Sequence, residues 1–542
     1  MERVLTDYLQ SLKIPISKNL FRKRVASHPD FPSILAVADT LRQFGIPHIV
    51  ARVEKENLGD LPLPVILHLD TVGGSLLPIY NEEDLNKNRE KLNHWSGVLI
   101  QAEPVQKIAD QENKKAIEEE HRFKMAAGLL AATTIGLLAT SLIFSFTWSQ
   151  FIVLVTAMAG VVTGYFLFAK DLGITYQAVE SFCSAGTGAG CGKVLRSEEG
   201  KLFGFITFSD LTLGYFIGQL IVAGLLVPFW SGNSLLAILG WLSILTVPVI
   251  GYSFWLQSVK IKEWCRLCLV VSGILMAQVI LYGSMFFTGV LSPFAIGATS
   301  IVVSMFIFGI AGSSLLLLKQ TIQNKNLAVQ NEISANRIKN SPEVFTSLLF
   351  RQRQVDTTPF VNDFLIGNPN APVKLTMAVN LHCGPCKNEL EQTKELLSIY
   401  PDQVNLSLRF LKSGDDGKSS NLLLKFWLNS LNQQNNGQSR QDTGQAMIDV
   451  WYESMDKDSF VTSHPLNGKL SGKESDAYLQ LHYEWVKNVG ITKTPTTFLK
   501  GYELPAAYML KDLLVLIPGL TDFFNNQNEM KNEVSSTCVK SL

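Results

Sequence analysis

The chain has 542 residues, and its 47 basic and 47 acidic side chains leave no net charge. That balance lacks the basic excess of a nucleic-acid binder, and seven cysteines are too few for a disulfide-stapled scaffold. Hydrophobic residues make up 47% and charged residues only 17%, which excludes an ordinary soluble composition and points to a very large core or to chain outside water.

Residues 1–105 read as a small soluble α/β domain. Ile34, Leu35, Val37, Ala38 and Leu41 give one helical face closed by Phe44-Gly45, while His48–Val53 and Pro64–Leu69 have the composition of strands. Residues 106–124 form a charged helical lead-in. Met1–Leu20 contains no unbroken apolar run, so no cleavable signal peptide is expected.

The charge deficit is local. Residues 125–318 carry 13 charged side chains, all within windows 170–210 and 260–266. Around them run six apolar stretches, at 125–146, 150–169, 211–230, 234–259, 267–290 and 294–318, each of a length that crosses a bilayer as a helix. We therefore expect a six-helix membrane domain over 125–318. Two crossings separate the charged windows, so both lie on one side, together with the C-terminal region. Six crossings put residues 1–124 there as well, whereas a single crossing over 125–169 puts them on the opposite face. The positive-inside rule gives no orientation, because the opposite connections at 147–149, 231–233 and 291–293 contain no Lys or Arg.

Residues 319–356 read as a stalk, 357–525 as a second soluble domain, and 526–542 as a polar tail. In the second domain the strand-like Val373–Val379 leads into His382-Cys383-Gly384-Pro385-Cys386 and a helical pattern. A helix start stabilises the first thiolate of such a pair, and the second thiol, one turn on, can resolve a mixed disulfide. Pro495 precedes a further strand at Thr496–Phe498, where a cis bond is expected. Half a zinc site or a structural disulfide are the other readings of such a CxxC.

Four more cysteines sit in the charged windows. Cys265 and Cys268 open the fifth apolar stretch, at the membrane boundary. Cys183 and Cys191 flank a segment with three glycines, pliable enough to swing between partners. Three dithiols can pass two electrons by successive exchange; a structural disulfide or a four-thiolate zinc site are the alternatives for these four. Gly188–Lys193 is Gly-rich but lacks the P-loop pattern, since Thr187 and Val194 occupy its defining places. Cys538, alone in the tail, reads as a free thiol outside the relay.

These motifs carry three resemblances. Residues 357–525 resemble the thioredoxin superfamily, with an inserted helical layer around 419–432 and 475–489 as in DsbA-like oxidoreductases. Cys183-x7-Cys191, Ser197, Gly204 and Cys265-x2-Cys268 resemble the vitamin K epoxide reductase family, particularly bacterial members fused to a thioredoxin-like domain. That likeness implies a four-helix core plus extra helices. It also implies a loop pair shuttling electrons to a membrane CxxC that reduces a quinone. Cys268 would then be nearest the quinone and Cys265 its exchange partner, with Ser197 and Ser272 as candidate contacts. Ser272 stands where animal members have tyrosine, and 211–230 contains no Asn, which favours plain quinone reduction over epoxide chemistry. Ser27-His28-Pro29-Asp30-Phe31-Pro32-Ser33 and the Leu61-Pro62-Leu63-Pro64 strand resemble the papain-like leader-peptidase domain of bacteriocin exporters. No cysteine precedes Cys183, so the domain is read as degenerate and as lacking peptidase activity; His68 reads as a packing residue.

The resulting expectation is a polytopic membrane dithiol:quinone oxidoreductase flanked by two α/β domains. It would lie in the bacterial cytoplasmic membrane with its relay cysteines on the periplasmic or exoplasmic face. Reduced exported proteins or peptides are its expected electron donors, and menaquinone or ubiquinone of the membrane pool its acceptor, with no metal and no nucleic acid. Cys383, Cys386, Cys183, Cys191, Cys265, Cys268 and Pro495 are the candidate catalytic residues. A transmembrane carrier of reducing equivalents and a peptide-export accessory are the alternatives.

Overall fold

The computed structural model describes all residues except 72–74, 109, 145–146, 175, 185–200, 203–205, 231–232, 413–416, 433–439, 464–471 and 541–542. It divides into two units, residues 1–119 with 331–542, and residues 120–330.

In the N-terminal part, helices α1 (Glu2–Ser11), α2 (Lys18–Ala26) and α3 (Ile34–Gln43) accompany four antiparallel strands. These are β1 (His48–Arg52), β2 (Val65–Leu69), β3 (Ser75–Ile79) and β4 (Trp95–Ala102), in the order β1-β4-β2-β3. Ser17 and Ser33 begin α2 and α3 by accepting the backbone N–H of Leu20 and Ala36. The apolar faces of the helices, with Leu5, Leu9, Phe21, Val37 and Leu41, pack with Ile66 and Ile100 of the sheet. His68 is half-buried, its Nδ1 3.0 Å from the Ser96 hydroxyl.

The long helices follow. The charged lead-in and the first apolar stretch form one helix, α4 (Gln111–Phe144). Next come α5 (Trp148–Asp171), the short α6 (Gln177–Ser184), α7 (Phe208–Leu226), α8 (Ser234–Ile261), α9 (Arg266–Phe287) and α10 (Ala298–Lys339). Among the described residues five helices, α5 and α7 to α10, are long and apolar enough to cross a membrane. The α5–α7 contact needs glycine at 160, where a Cβ would meet the Phe216 ring at 2.3 Å.

The last apolar stretch does not stop at 318, because α10 runs without a break to Lys339. Lys319 is buried, and its ammonium donates to Asp171 at 2.7 Å, Asp210 at 2.8 Å and the Thr207 hydroxyl at 3.0 Å. These partners offset the desolvation of the charge and tie α10 to the end of α5 and the start of α7.

The C-terminal part holds a five-stranded sheet. Its strands are β5 (Leu365–Gly367), β6 (Val373–Val379), β7 (Val404–Phe410), β8 (Thr496–Leu499) and β9 (Tyr502–Glu503), in the order β9-β8-β6-β7-β5. β6 and β7 are parallel and the other pairs antiparallel. Helix α11 (Pro342–Leu349) puts Phe345 and Leu349 into this core, upstream of residue 357. Helices α12 (Gly384–Ile399), α13 (Lys418–Asn432), α14 (Arg440–Ser454), α15 (Lys457–Ser463) and α16 (Gly472–Val489) follow. Trp427 of α13 and Trp451 of α14 are fully buried. The final helix, α17 (Leu513–Lys540), continues through the segment expected as a tail.

Within this unit the N-terminal domain grips the end of α10. Arg337 donates from Nε to the Ala26 carbonyl at 2.6 Å, with its guanidinium 4.9 Å over the Phe31 ring. Asn340 donates to the Ser27 carbonyl at 3.2 Å, and Lys23 pairs with Glu332 at 2.6 Å.

Candidate functional site: two dithiols and an apolar slot

Cys383 occupies the N-cap of α12, with Gly384-Pro385 forming its first turn. Proline costs nothing there, since its missing N–H would have no helical partner. The thiol of Cys383 is partly exposed and donates to the Thr494 carbonyl at 3.7 Å, while Cys386 is buried. Thr494–Pro495 is a cis peptide, and the register of Thr496 opposite Ala378 brings this loop alongside the dithiol.

The helical layer supports the turn before the dithiol. Trp451 donates from its indole to the Leu381 carbonyl at 2.8 Å, and the Tyr452 hydroxyl donates to the Asn380 carbonyl at 3.2 Å. His382 Nε2 lies 3.1 Å from the Ser419 hydroxyl. Partial burial pushes the Cys383 thiol up, but hydrogen bonds with the Cys386 backbone and thiol and with Thr494 outweigh it, leaving it below the ordinary thiol range. Burial pushes Cys386 the other way, up to about 12. The pair is thus split into an accessible nucleophile and a protected resolving thiol.

The membrane pair repeats this arrangement. Cys265 is the N-cap of α9, and its Sγ accepts the Cys268 backbone N–H at 3.4 Å. The N–H of Cys265 itself donates to Gln257 Oε1 at 2.8 Å. Gln257, fully buried, is fixed in turn by donating to the carbonyl and hydroxyl of Ser253 at 3.2 and 3.0 Å. Lys262 takes a left-handed conformation (φ 57°) that turns the chain between Gln257 and Cys265. Sequence reading missed Gln257; a polar side chain inside an apolar stretch, close before a CxxC, was the available signal.

Cys183 of α6 packs in one buried cluster with Cys265, Cys268, Leu167 and Leu267. Arg266 holds α6 there by donating to the Phe182 carbonyl at 3.1 Å. Cys191, Ser197 and Gly204 lie outside the described residues. Cys538 lies in α17.

Cys268 also lines a narrow slot with Leu167, Phe208, Thr212, Ser253 and Ser272. An apolar wall carrying three hydroxyls suits a flat ring with carbonyl oxygens, so the residues present fit a quinone. They bring Cys268 and Ser272 to the same cavity.

Residues 151–283 match the vitamin K epoxide reductase family. Residues 360–517 match a family model described as thioredoxin. Neither match reaches residues 1–105, so the peptidase likeness there stays a resemblance. No curated relative matches the chain. Similar solved structures include a periplasmic thioredoxin-like protein from Salmonella enterica serovar Typhimurium, at 17% identity over 33% of this chain and 97% of that one, TM-score 0.24. The catalytic domain of Proteus mirabilis ScsC is similar at 19% identity over 33% and 98%, TM-score 0.23. Oxidised BdbD from Bacillus subtilis is similar at 12% identity over 32% and 97%, TM-score 0.23. A vitamin K epoxide reductase segment joined to a thioredoxin-like domain supports a multi-pass membrane thiol–disulfide oxidoreductase.

Proposed function

We propose that the protein is a membrane dithiol:quinone oxidoreductase that forms disulfides in exported proteins. The carrying observation is Cys268, which belongs both to a helix-capping CxxC and to the wall of the apolar slot. Substrate thiols reduce the Cys383–Cys386 disulfide, this pair reduces Cys183–Cys191, and these reduce Cys265–Cys268. Each exchange breaks one S–S bond and forms another, carrying two electrons onward. A quinone, menaquinone or ubiquinone, supplies the final two-electron, two-proton acceptor. Cys265 is held by Gln257 so that its sulfur faces the Cys268 N–H, while Thr212, Ser253 and Ser272 offer hydroxyls to the ligand's oxygens.

The packing of residues 1–119 with 331–542 in one unit supports a common side for both soluble domains. An even number of crossings follows, so 125–144 of α4 would be the sixth span beside the five apolar helices. We place the relay cysteines on the periplasmic or exoplasmic face of a bacterial cytoplasmic membrane. Labelling a cysteine introduced at Gly45 in intact cells tests this. Reaction with an impermeant maleimide supports the common side, and protection until lysis contradicts it.

A further inference from the structure

Beneath the slot, three of the helices that line it, α7, α8 and α9, change character together. On α7 the slot residues Phe208 and Thr212 are followed seven positions on by Tyr215 and Gln219. On α9 Val271 and Leu275 are followed at the same spacing by Gln278 and Tyr282, and on α8 Ser243 precedes Ile250 by seven. Seven residues are two helical turns, roughly 10 Å, so each helix presents the same face twice, once at the slot and once in a layer of buried polar side chains. The polar groups meet. Gln278 Nε2 donates to Gln219 Oε1 at 2.8 Å and to the Thr156 hydroxyl of α5 at 3.1 Å. Tyr282 lies beside Gln219, and Tyr215 beside Ser243, without hydrogen-bond geometry.

Their hydrogen-bonding capacity exceeds what they use. Gln219, Ser243, Gln278 and Tyr282 are buried, and the hydroxyl of Tyr215 is buried with them. The Tyr215, Tyr282 and Ser243 hydroxyls, Gln219 Nε2 and Gln278 Oε1 have no hydrogen-bond partner among the described residues. Tyr215 with Ser243 and Tyr282 with Gln219 are near enough to meet part of each other's need, but Gln278 Oε1 has no such neighbour, and small oxygen ligands with several partners each remove the remaining cost.

We propose that Tyr215, Gln219, Ser243, Gln278 and Tyr282 hold ordered water two turns beneath the slot, and that this water passes a proton to the slot's deep end. The proton role rests on the quinone reading; the hydration does not. Closing the Cys265–Cys268 bond releases two electrons and two protons, and converting a quinone to a quinol consumes two of each. One thiol proton passes to the near oxygen and the other leaves to bulk water, while the node hands the far oxygen one proton and regains one from bulk water, so two protons leave the thiols and two reach the quinone. The thiols serve the end of the slot at Cys268, and the node serves the other.

Radiolytic hydroxyl labelling of the full-length protein in lipid nanodiscs, after rapid mixing into H2(18)O, tests the hydration. Tyr215 and Tyr282 are expected to take up label at least tenfold above Phe216, the buried ring next to Tyr215 in the chain. Equal labelling of the three would overturn the proposal. Q278L is expected to lose the Tyr282 label and the solvent deuterium isotope effect on quinone reduction, with peptide exchange at Cys383 unchanged. Retention of both in Q278L would also overturn it. Quinone reduction that survives Cys268→Ala would instead count against the quinone reading and leave the labelling result standing.

Discussion

Gln257 accepts the backbone N–H of Cys265 at 2.8 Å, across a turn of eight residues. The bond uses a side chain where the first turn of α9 has no main-chain acceptor. It fixes the N-cap cysteine whose sulfur receives the Cys268 N–H. Gln257→Leu leaves a buried N–H unpaired, a loss of about 1–3 kcal/mol. Where that loss falls on the reacting geometry, electron transfer from Cys265–Cys268 slows by about tenfold. Gln257→Glu keeps the acceptor and is expected to recover most of the rate. Single-turnover quinone reduction by the prereduced protein reads both variants, with peptide exchange at Cys383 unaffected in either.

The two thiols of the C-terminal pair should titrate far apart. Cys383 is lowered from 9.0 by the hydrogen bonds that outweigh its partial burial, and Cys386 is raised to about 12 by burial. Iodoacetamide is expected to modify Cys383 with a midpoint below pH 9 and to spare Cys386 across the neutral range. A lowered folded pKa makes the thiolate a source of stability above the unfolded pKa, lost as pH falls through the folded value. The reduced domain should therefore lose stability on acidification through the Cys383 midpoint, and its disulfide should be a stronger oxidant than an unperturbed pair.

His482 sets a separate acid limit. Burial, helped by the positive charge of Arg409, lowers it from 6.5 to about 3. Its Nδ1 accepts the Phe410 N–H at 3.2 Å, so the neutral ring is built into the end of β7. The unfolded chain takes up a proton below 6.5 that the fold refuses until about 3. Stability present above 6.5 is therefore lost on acidification toward 3, with a limiting slope of about 1.4 kcal/mol per pH unit. Thermal unfolding followed by tryptophan fluorescence between pH 7 and 5 should show this slope, and His482→Gln should flatten it.

The slot should control acceptor binding without touching the thiols' chemistry. Leu275 lines the slot two turns along α9 from Cys268, so Leu275→Phe narrows the cavity by filling space that Cys268 does not occupy. A several-fold rise in KM for a quinone analogue is expected, with the oxidation state of Cys383–Cys386 at fixed peptide concentration unchanged before quinone is added.

Much of this was legible from residue patterns. Val373–Val379 alternates and is observed as a strand with those limits, and four of the six stretches without charge match long apolar helices to within four residues at either end. The charged segments beside the first and last apolar stretches read as a helical lead-in and a helix-favouring stalk, and each is continuous with its neighbour in α4 and α10 because the charged part of neither helix contains a Gly or Pro. Lys319 looked like the first stalk residue because its partners, Asp171 and Asp210, lie more than a hundred positions away. The polar node escaped for another reason. Gln219 is a glutamine where the family likeness points to asparagine, yet Tyr215 and Gln219, like Gln278 and Tyr282, stand at the i, i+4 spacing of one helix face. Helices α14 and α15 were missed because short amphipathic segments between polar stretches leave a weak period.

The central claim is a single path from substrate thiol to quinone through Cys268, and quinone reduction by the purified protein supplied with a reduced peptide tests it most directly. The account predicts that Cys→Ala at 383, 265 or 268 each abolishes peptide-driven quinone reduction. It further predicts that Cys383→Ala alone is bypassed when a small dithiol reduces the membrane pair. Wild-type rates in the Cys268→Ala protein would contradict it.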